Sequence, residues 1–258
     1  MSRLRILVAA LVACACVPIA SAQAGETVKI NASFKPDVLG APTNVLGGAV
    51  VTSTDPTTVP SPLTRIVIKG PAGTKLDLTG VGICKSAAAL QSNGPSACPK
   101  SSRAGFGKGI GQYQLGTQIN DQPFTLDLFR GPNQGHTPTL LIYLNATSPV
   151  SVQIVFTAPI TKQAKPYGLG FSFNVPLIAT LPGASNASLK SATITIGAAN
   201  AAYYTKVHGK RKLQHVKGII LPKKCPAGGF PVATDFSFLD GQTVHATSTV
   251  PCPKKKKK

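Results

Sequence analysis

The stretch Phe230-Pro-Val-Ala-Thr-Asp-Phe-Ser-Phe-Leu-Asp-Gly-Gln-Thr-Val-His-Ala-Thr-Ser-Thr-Val250 reads as a single β-hairpin. Phe230, Val232, Phe236 and Phe238 share one face of its first strand, and Val244, Ala246 and Val250 share one face of the second. Because side chains alternate across a strand, a one-residue slip would turn an apolar set to the wrong side, so burial selects the register. A two-residue Asp240-Gly241 turn would set Phe236 opposite His245 and point the two sets apart. A three-residue loop, Leu239-Asp240-Gly241 with Gly241 left-handed, sets Phe236 opposite Val244 and Phe230 opposite Val250. The three-residue loop is therefore predicted. The same register places Cys252 opposite Gly228, and Pro226-Ala227-Gly228 can turn the chain back, which argues for a Cys225–Cys252 bridge.

The period of two recurs upstream. It runs through residues 63 to 69 around Ile66 and Ile68, then Leu76 and Leu78, then Leu126 and Leu128. Leu140, Ile142 and Leu144 line one strand face, Val152, Ile154 and Phe156 the next, and Phe171 and Phe173 lead towards Val175. Ile194 and Ile196 sit among threonines. Such β-branched and aromatic runs, punctuated by Pro, Gly, Asn and Ser, predict an all-β protein, an immunoglobulin-like or related antiparallel β-sandwich. The one helical hint is a turn at Ser86 to Leu90. Residues 23–253 are read as a single sandwich domain, with 183–191 as the place where two subdomains would join. Gly105, Gly107, Gly109 and Gly111 fit no phosphate-loop spacing and read as a flat, closely packed or edge strand.

The amino end carries an export address. Arg3 and Arg5 precede an apolar run from Ile6 to Ile19, and Ala20-Ser21-Ala22 supplies small residues for cleavage. Residues 1–22 are expected to be a signal peptide, with a second cleavage point after Ala24. Leu11-Val12-Ala13-Cys14 also resembles a lipobox, which would leave the chain lipid-anchored through Cys14. Processing after Ala22 leaves Cys84, Cys98, Cys225 and Cys252, an even number in an exported chain, hence two disulfides. Proximity favours Cys84–Cys98 and Cys225–Cys252, each contributing about 3 kcal/mol. No pair has the spacing of a zinc site.

Without Arg3 and Arg5, 25 basic and 8 acidic residues leave +17 of the whole chain's +19. No acidic residue lies between Asp127 and Asp235. Lys206, Lys210, Arg211, Lys212, Lys217, Lys223 and Lys224 crowd one segment, and Lys254, Lys255, Lys256, Lys257 and Lys258 end the chain as an expected disordered tail. Charge of this sign attracts polyanions at long range. It is mostly lysine, a mobile hydrated point charge, which favours loose adhesion over shaped recognition.

Sites of chemistry are scarce in the sequence. A glycosidase needs two carboxylates across a cleft. Glu26 is the single glutamate, Asp121 and Asp240 read as turn residues, and Asp127 and Asp235 as solvent-facing strand residues. His208 and His215 would meet only across a hairpin, among cations that oppose a metal. No Gly-x-Ser-x-Gly elbow occurs. Without tryptophan and with few aromatics, the aromatic platforms of nucleic-acid grooves are missing, so nucleic acid is not the expected partner. Tyr203 and Tyr204 form the one adjacent aromatic pair, with one of the two expected to be buried. No cofactor is called for.

Cys98-Pro99 followed by Ser101, Ser102 and the glycine run, then Leu221-Pro222-Lys223-Lys224-Cys225-Pro226, Phe236 to Gly241 and Pro251-Cys252-Pro253, resemble uncharacterised exported, cysteine-containing β-sandwich proteins of high-GC Gram-positive bacteria. The resemblance implies export and the sandwich fold, and brings no activity with it. The expectation is a secreted or cell-envelope, non-enzymatic protein whose lysines hold it to an anionic envelope polymer or membrane surface. The rival expectation is a wall- or polysaccharide-acting hydrolase.

Overall fold

The computed structural model describes residues 25–198 and 201–253, with Thr205 to Val207 described by backbone alone. The expected signal peptide, Cys14 and Lys254 to Lys258 lie outside the described residues. In chain order the elements are β1 (Glu26–Lys35), β2 (Pro42–Ser53), β3 (Leu63–Pro71), β4 (Lys75–Asp77) and α1 (Ala87–Asn93). There follow β5 (Arg103–Leu115), β6 (Gln118–Arg130), β7 (Thr139–Ala146), β8 (Val152–Lys162), β9 (Tyr167–Asn174) and β10 (Ser188–Ile196). The last are β11 (Ala202–Val207), β12 (Lys210–His215), β13 (Gly218–Ile220), β14 (Phe230–Phe238) and β15 (Thr243–Val250). The protein is all-β and antiparallel, with both expected disulfides.

Thirteen of the described strands form one sheet in the order β15-β14-β3-β9-β8-β7-β6-β5-β10-β2-β13-β4, with β1 on β2. The second sheet is the β11–β12 hairpin alone. The long sheet folds over on itself, so the sandwich has one continuous wall around a shared apolar interior. The branch strand meets one end of the sheet: β1 lies alongside β15 without strand pairing. Gln242 stitches that seam, accepting from Glu26 N–H at 2.6 Å and donating to Glu26 C=O at 3.3 Å. A side-chain amide here takes the place of a strand peptide. Residues 188–191 begin β10, which pairs with β5 on one side and β2 on the other.

The hairpin register is the one burial selects. Phe236 faces Val244 and Phe230 faces Val250. Gly241 has φ 89°, and its N–H donates to Phe238 C=O. Cys225 and Cys252 bridge with Cα atoms 5.8 Å apart. Phe34 of β1 packs edge-on against Phe230, ring centroids 5.6 Å apart.

β7 is buried on both faces, which period-two reading alone does not reveal. Leu140 and Ile142 face the interior with Leu128, Phe156 and Phe171. Leu141 and Tyr143 face outward and are covered by Leu90 of α1 and the Cys84–Cys98 bridge. The helix is longer than the expected turn. Ser86 caps it, its Oγ accepting from Ala89 N–H at 3.0 Å, which satisfies one of the donors a helix start leaves free. Gln91 then reaches β8, donating to Gln153 C=O and accepting from Val155 N–H at 2.7 Å.

Two expectations need correction. Asp121 lies within β6 opposite Gln112 rather than in a turn, because the chain reverses earlier, between Leu115 and Gln118. His208 and His215 do not meet. The β11–β12 register pairs Ala202 with His215, while His208 sits in the turn itself at φ 48°.

Candidate functional site

The glycine run of β5 explains what the fold leaves open. Gly107 and Gly109 face the interior, against Leu126 and Phe124, and Gly111 also borders that space. A Cβ at Gly105, Gly107 or Gly109 would collide with the carbonyl oxygens of Thr195, Thr193 and Ser191 on β10. The close approach of β5 and β10 therefore requires glycine, and it costs the interior its side chains. Neighbouring strands add little, since Ala32, Gly47, Ala49 and Ala192 line the same region. β5 is central, between β6 and β10, rather than at an edge.

Opposite this thin floor stand Phe156, Phe171, Phe173 and Phe236. Between the two lies an apolar cavity of about 240 Å³. A second lobe of about 140 Å³ adjoins it on the side of Leu76, Val81, Ile219 and Arg130. Val45, Ile68, Phe171, Ile196 and Val232 border both lobes. An engineered apolar cavity of about 150 Å³ stays dry and takes up benzene, so these are ligand-sized spaces. At about 24 cal/mol per Å³, an empty space of the larger lobe's 240 Å³ costs about 6 kcal/mol. That is a large share of the roughly 5–15 kcal/mol stability of a domain. Beside the cavity the wall is incomplete: β8 and β9 pair only over Ile160 to Lys162. Above that point Phe156 bridges to Phe173, ring centroids 5.4 Å apart.

Among the described residues, one charged side chain enters the cavity wall from an inward strand face without an acidic partner. Arg130 follows Leu126 and Leu128 on the inner face of β6 and stands opposite Leu140. Its Nη1 donates to Val81 C=O at 2.8 Å and Leu78 C=O at 3.2 Å. Its Nε is buried without a partner, and no described carboxylate pairs with it. Lys69, the other cation bordering this lobe, is held by Asp235 at 2.6 Å. Arg130 is not among the residues expected from the sequence; the signal that locates it is its parity with Leu126 and Leu128, readable once β6 is known to run as far as Arg130.

The predicted polyanion residues divide. Lys210, Arg211 and Lys212 are brought together, exposed, on β12, and Lys206 stands opposite Arg211 in the register. Lys217 is engaged by Asp77 at 3.5 Å. Lys223 and Lys224 lie in the segment leading to Cys225, with Lys223 beside Gly40. Tyr203 packs at the hairpin base on Val81, Ala198 and Val216. Its neighbour Tyr204 is 60% exposed, faces Leu213 across the hairpin and carries the Arg211 guanidinium 4.2 Å from its ring centroid.

The carboxylates do not converge on the cavity. Asp121 pairs with Lys190, Asp127 with Arg103, and Asp235 with Lys69 and His245. Glu26 and Asp240 do approach each other at the β1–β15 seam, but neither borders either lobe. No group of His, Cys, Asp or Glu suited to a metal occurs among the described residues. No described helix is long and apolar enough to cross a membrane. The two disulfides fit an oxidising compartment. No family model matches the chain, and no curated protein or solved structure is significantly similar to it.

Proposed function

We propose that this is an exported, non-enzymatic protein of the cell envelope or its surroundings, which adheres through a basic surface to anionic envelope polymer. The observation that carries the reading is the β11–β12 hairpin, a two-stranded ribbon paired to no other described strand. It holds Lys210, Arg211 and Lys212 exposed with no carboxylate partner among the described residues. Cations on both faces of a ribbon suit a flexible polyanion, which can wrap where a rigid ligand cannot. The attraction is long-ranged and screened by salt.

The exposed Tyr204–Leu213 pair favours a second surface, the anionic membrane interface, where an amphipathic aromatic ring sits at headgroup level. The two are separated by co-sedimentation of the oxidised protein with cell-wall sacculi and with phosphatidylglycerol vesicles. Polymer adhesion predicts retention on sacculi at low salt that falls at least tenfold in the K210A/R211A/K212A variant and is indifferent to Tyr204→Ala. Loss of vesicle binding in Tyr204→Ala, with no retention on sacculi, would replace polymer by membrane. No retention on either at any salt rejects adhesion altogether.

A further inference from the structure

From the cavity and its single unpaired cation, we infer that the interior is a binding site for a single-chain amphiphile with a carboxylate head, a long-chain fatty acid. The chain lies in the apolar lobes and the head on Arg130. This stands on other residues than the adhesion reading and survives its failure.

The guanidinium supplies the chemistry. Arg130 Nη1 spends its two hydrogens on Val81 and Leu78 C=O, which fixes the plane of the group. The edge left over is Nε–H with Nη2–H, two parallel donors whose spacing matches the two oxygens of a carboxylate. Nε is already out of water and has no acceptor. A buried donor in that state is costly and calls for a partner. A carboxylate satisfies it and neutralises the charge, whereas a neutral apolar guest leaves both unmet.

The lobes supply the shape. On the inner face of β6, Gln122, Phe124 and Leu126 border the larger lobe and Arg130 the smaller, with fully buried Leu128 standing between them. Eight residues at about 3.3 Å per residue set Arg130 about 26 Å from Gln122, so the two lobes together follow the length of a strand. Five apolar residues border both lobes, so a single hydrocarbon chain reaching from one lobe to the other would pass between their side chains. Where β8 and β9 no longer pair, side chains alone close the wall, Phe156 against Phe173, and a rotation of these rings would admit a chain sideways.

The test uses the full oxidised protein and cis-parinarate, a long-chain carboxylate that fluoresces when removed from water, beside its uncharged methyl ester. Wild type is expected to bind the acid at least tenfold more tightly than the ester. Arg130→Gln should erase that preference by weakening the acid alone. Gly47→Leu should weaken acid and ester alike by tenfold or more. Gly47 faces the larger lobe beside Ile194, and an added Cβ meets nothing nearer than 3.6 Å, so a side chain has room to fill the space. Should Arg130→Gln fail to fold for want of its carbonyl contacts, Gly47→Leu and the acid–ester ratio of wild type still decide. No fluorescence gain with wild type overturns the site, and equal affinity for acid and ester overturns the role of Arg130. Binding that Gly47→Leu leaves unchanged places the probe elsewhere and also overturns the proposal.

Discussion

Glu26 occupies the inward face of β1 and is only 7% exposed. Its Oε1 accepts from Ser61 N–H at 2.8 Å, while Oε2 is buried without a partner. Burial pushes the carboxyl above its ordinary 4.5, and the Asp240 carboxylate adds to the rise against the opposing pull of the Ser61 bond. The unfolded chain releases this proton at a lower pH than the folded one. As pH climbs from the unfolded value through the raised folded one, the folded state therefore binds more protons, and stability falls. Glu26→Gln keeps an acceptor for Ser61 and removes the charge. It should raise Tm by about 2 °C or more near neutral pH, with the gain vanishing near pH 4. Equal melting curves of variant and wild type at both pH values would reject the account. Neither Glu26 nor Arg130 was legible as a special residue. A charge on an inward strand face is visible in the sequence only once the parity of its strand is known to its very end, and both stand at strand termini.

At the scale of elements, what was legible was local. Hairpin register, turn type and the Cys225–Cys252 bridge follow from residues within a few positions of one another, and the structure has all three. What escaped depends on contacts between distant segments: α1 lying over Leu141 and Tyr143, the glycine run of β5 set in the middle of the sheet, and three glutamines used as strand peptides. Gln242 serves β1, Gln91 serves β8, and buried Gln122 bonds Ser148 C=O and Val150 N–H at 2.9 and 2.8 Å. Each amide sets an N–H donor beside a C=O acceptor, the pair that an unpaired strand edge lacks. Gln91 covers β8 beyond the point where β9 leaves it. Gln91→Ala should cost about 1 kcal/mol in urea unfolding and speed hydrogen exchange at the Val155 amide, with the β14–β15 amides unaffected. A Val155 amide as protected as in wild type would mean that β8 needs no such cover.

For the molecule as a whole, the all-β class follows from periodicity, but the closure of the sheet on itself does not. β1 meets β15 there, and within the sheet β3 pairs with both β9 and β14; these segments are far apart in sequence, and their meeting carries no local signal. The charge, by contrast, is plain from composition, and it sets a global property. Four of the eight acidic residues are engaged with lysine or arginine, as Asp77–Lys217, Asp121–Lys190, Asp127–Arg103 and Asp235–Lys69. Pairs of this kind at or near the surface contribute about 0–1 kcal/mol each. Against them stands the mutual repulsion of the surplus cations, spread over the whole surface and felt across the Debye length. That length falls from about 30 Å at 0.01 M salt to about 8 Å at 0.15 M. Screening weakens repulsion and attraction together, and with 27 basic residues against 8 acidic the repulsive pairs dominate the sum. The melting temperature should therefore rise on adding sodium chloride over that range, by about 2 °C or more. Replacing Lys210, Arg211 and Lys212 together by alanine should shrink the rise, because it removes three unpaired cations from one ribbon. A melting temperature that falls with salt would show instead that the four ion pairs outweigh the surplus, and that the charge is a braced part of the fold rather than a field directed outward.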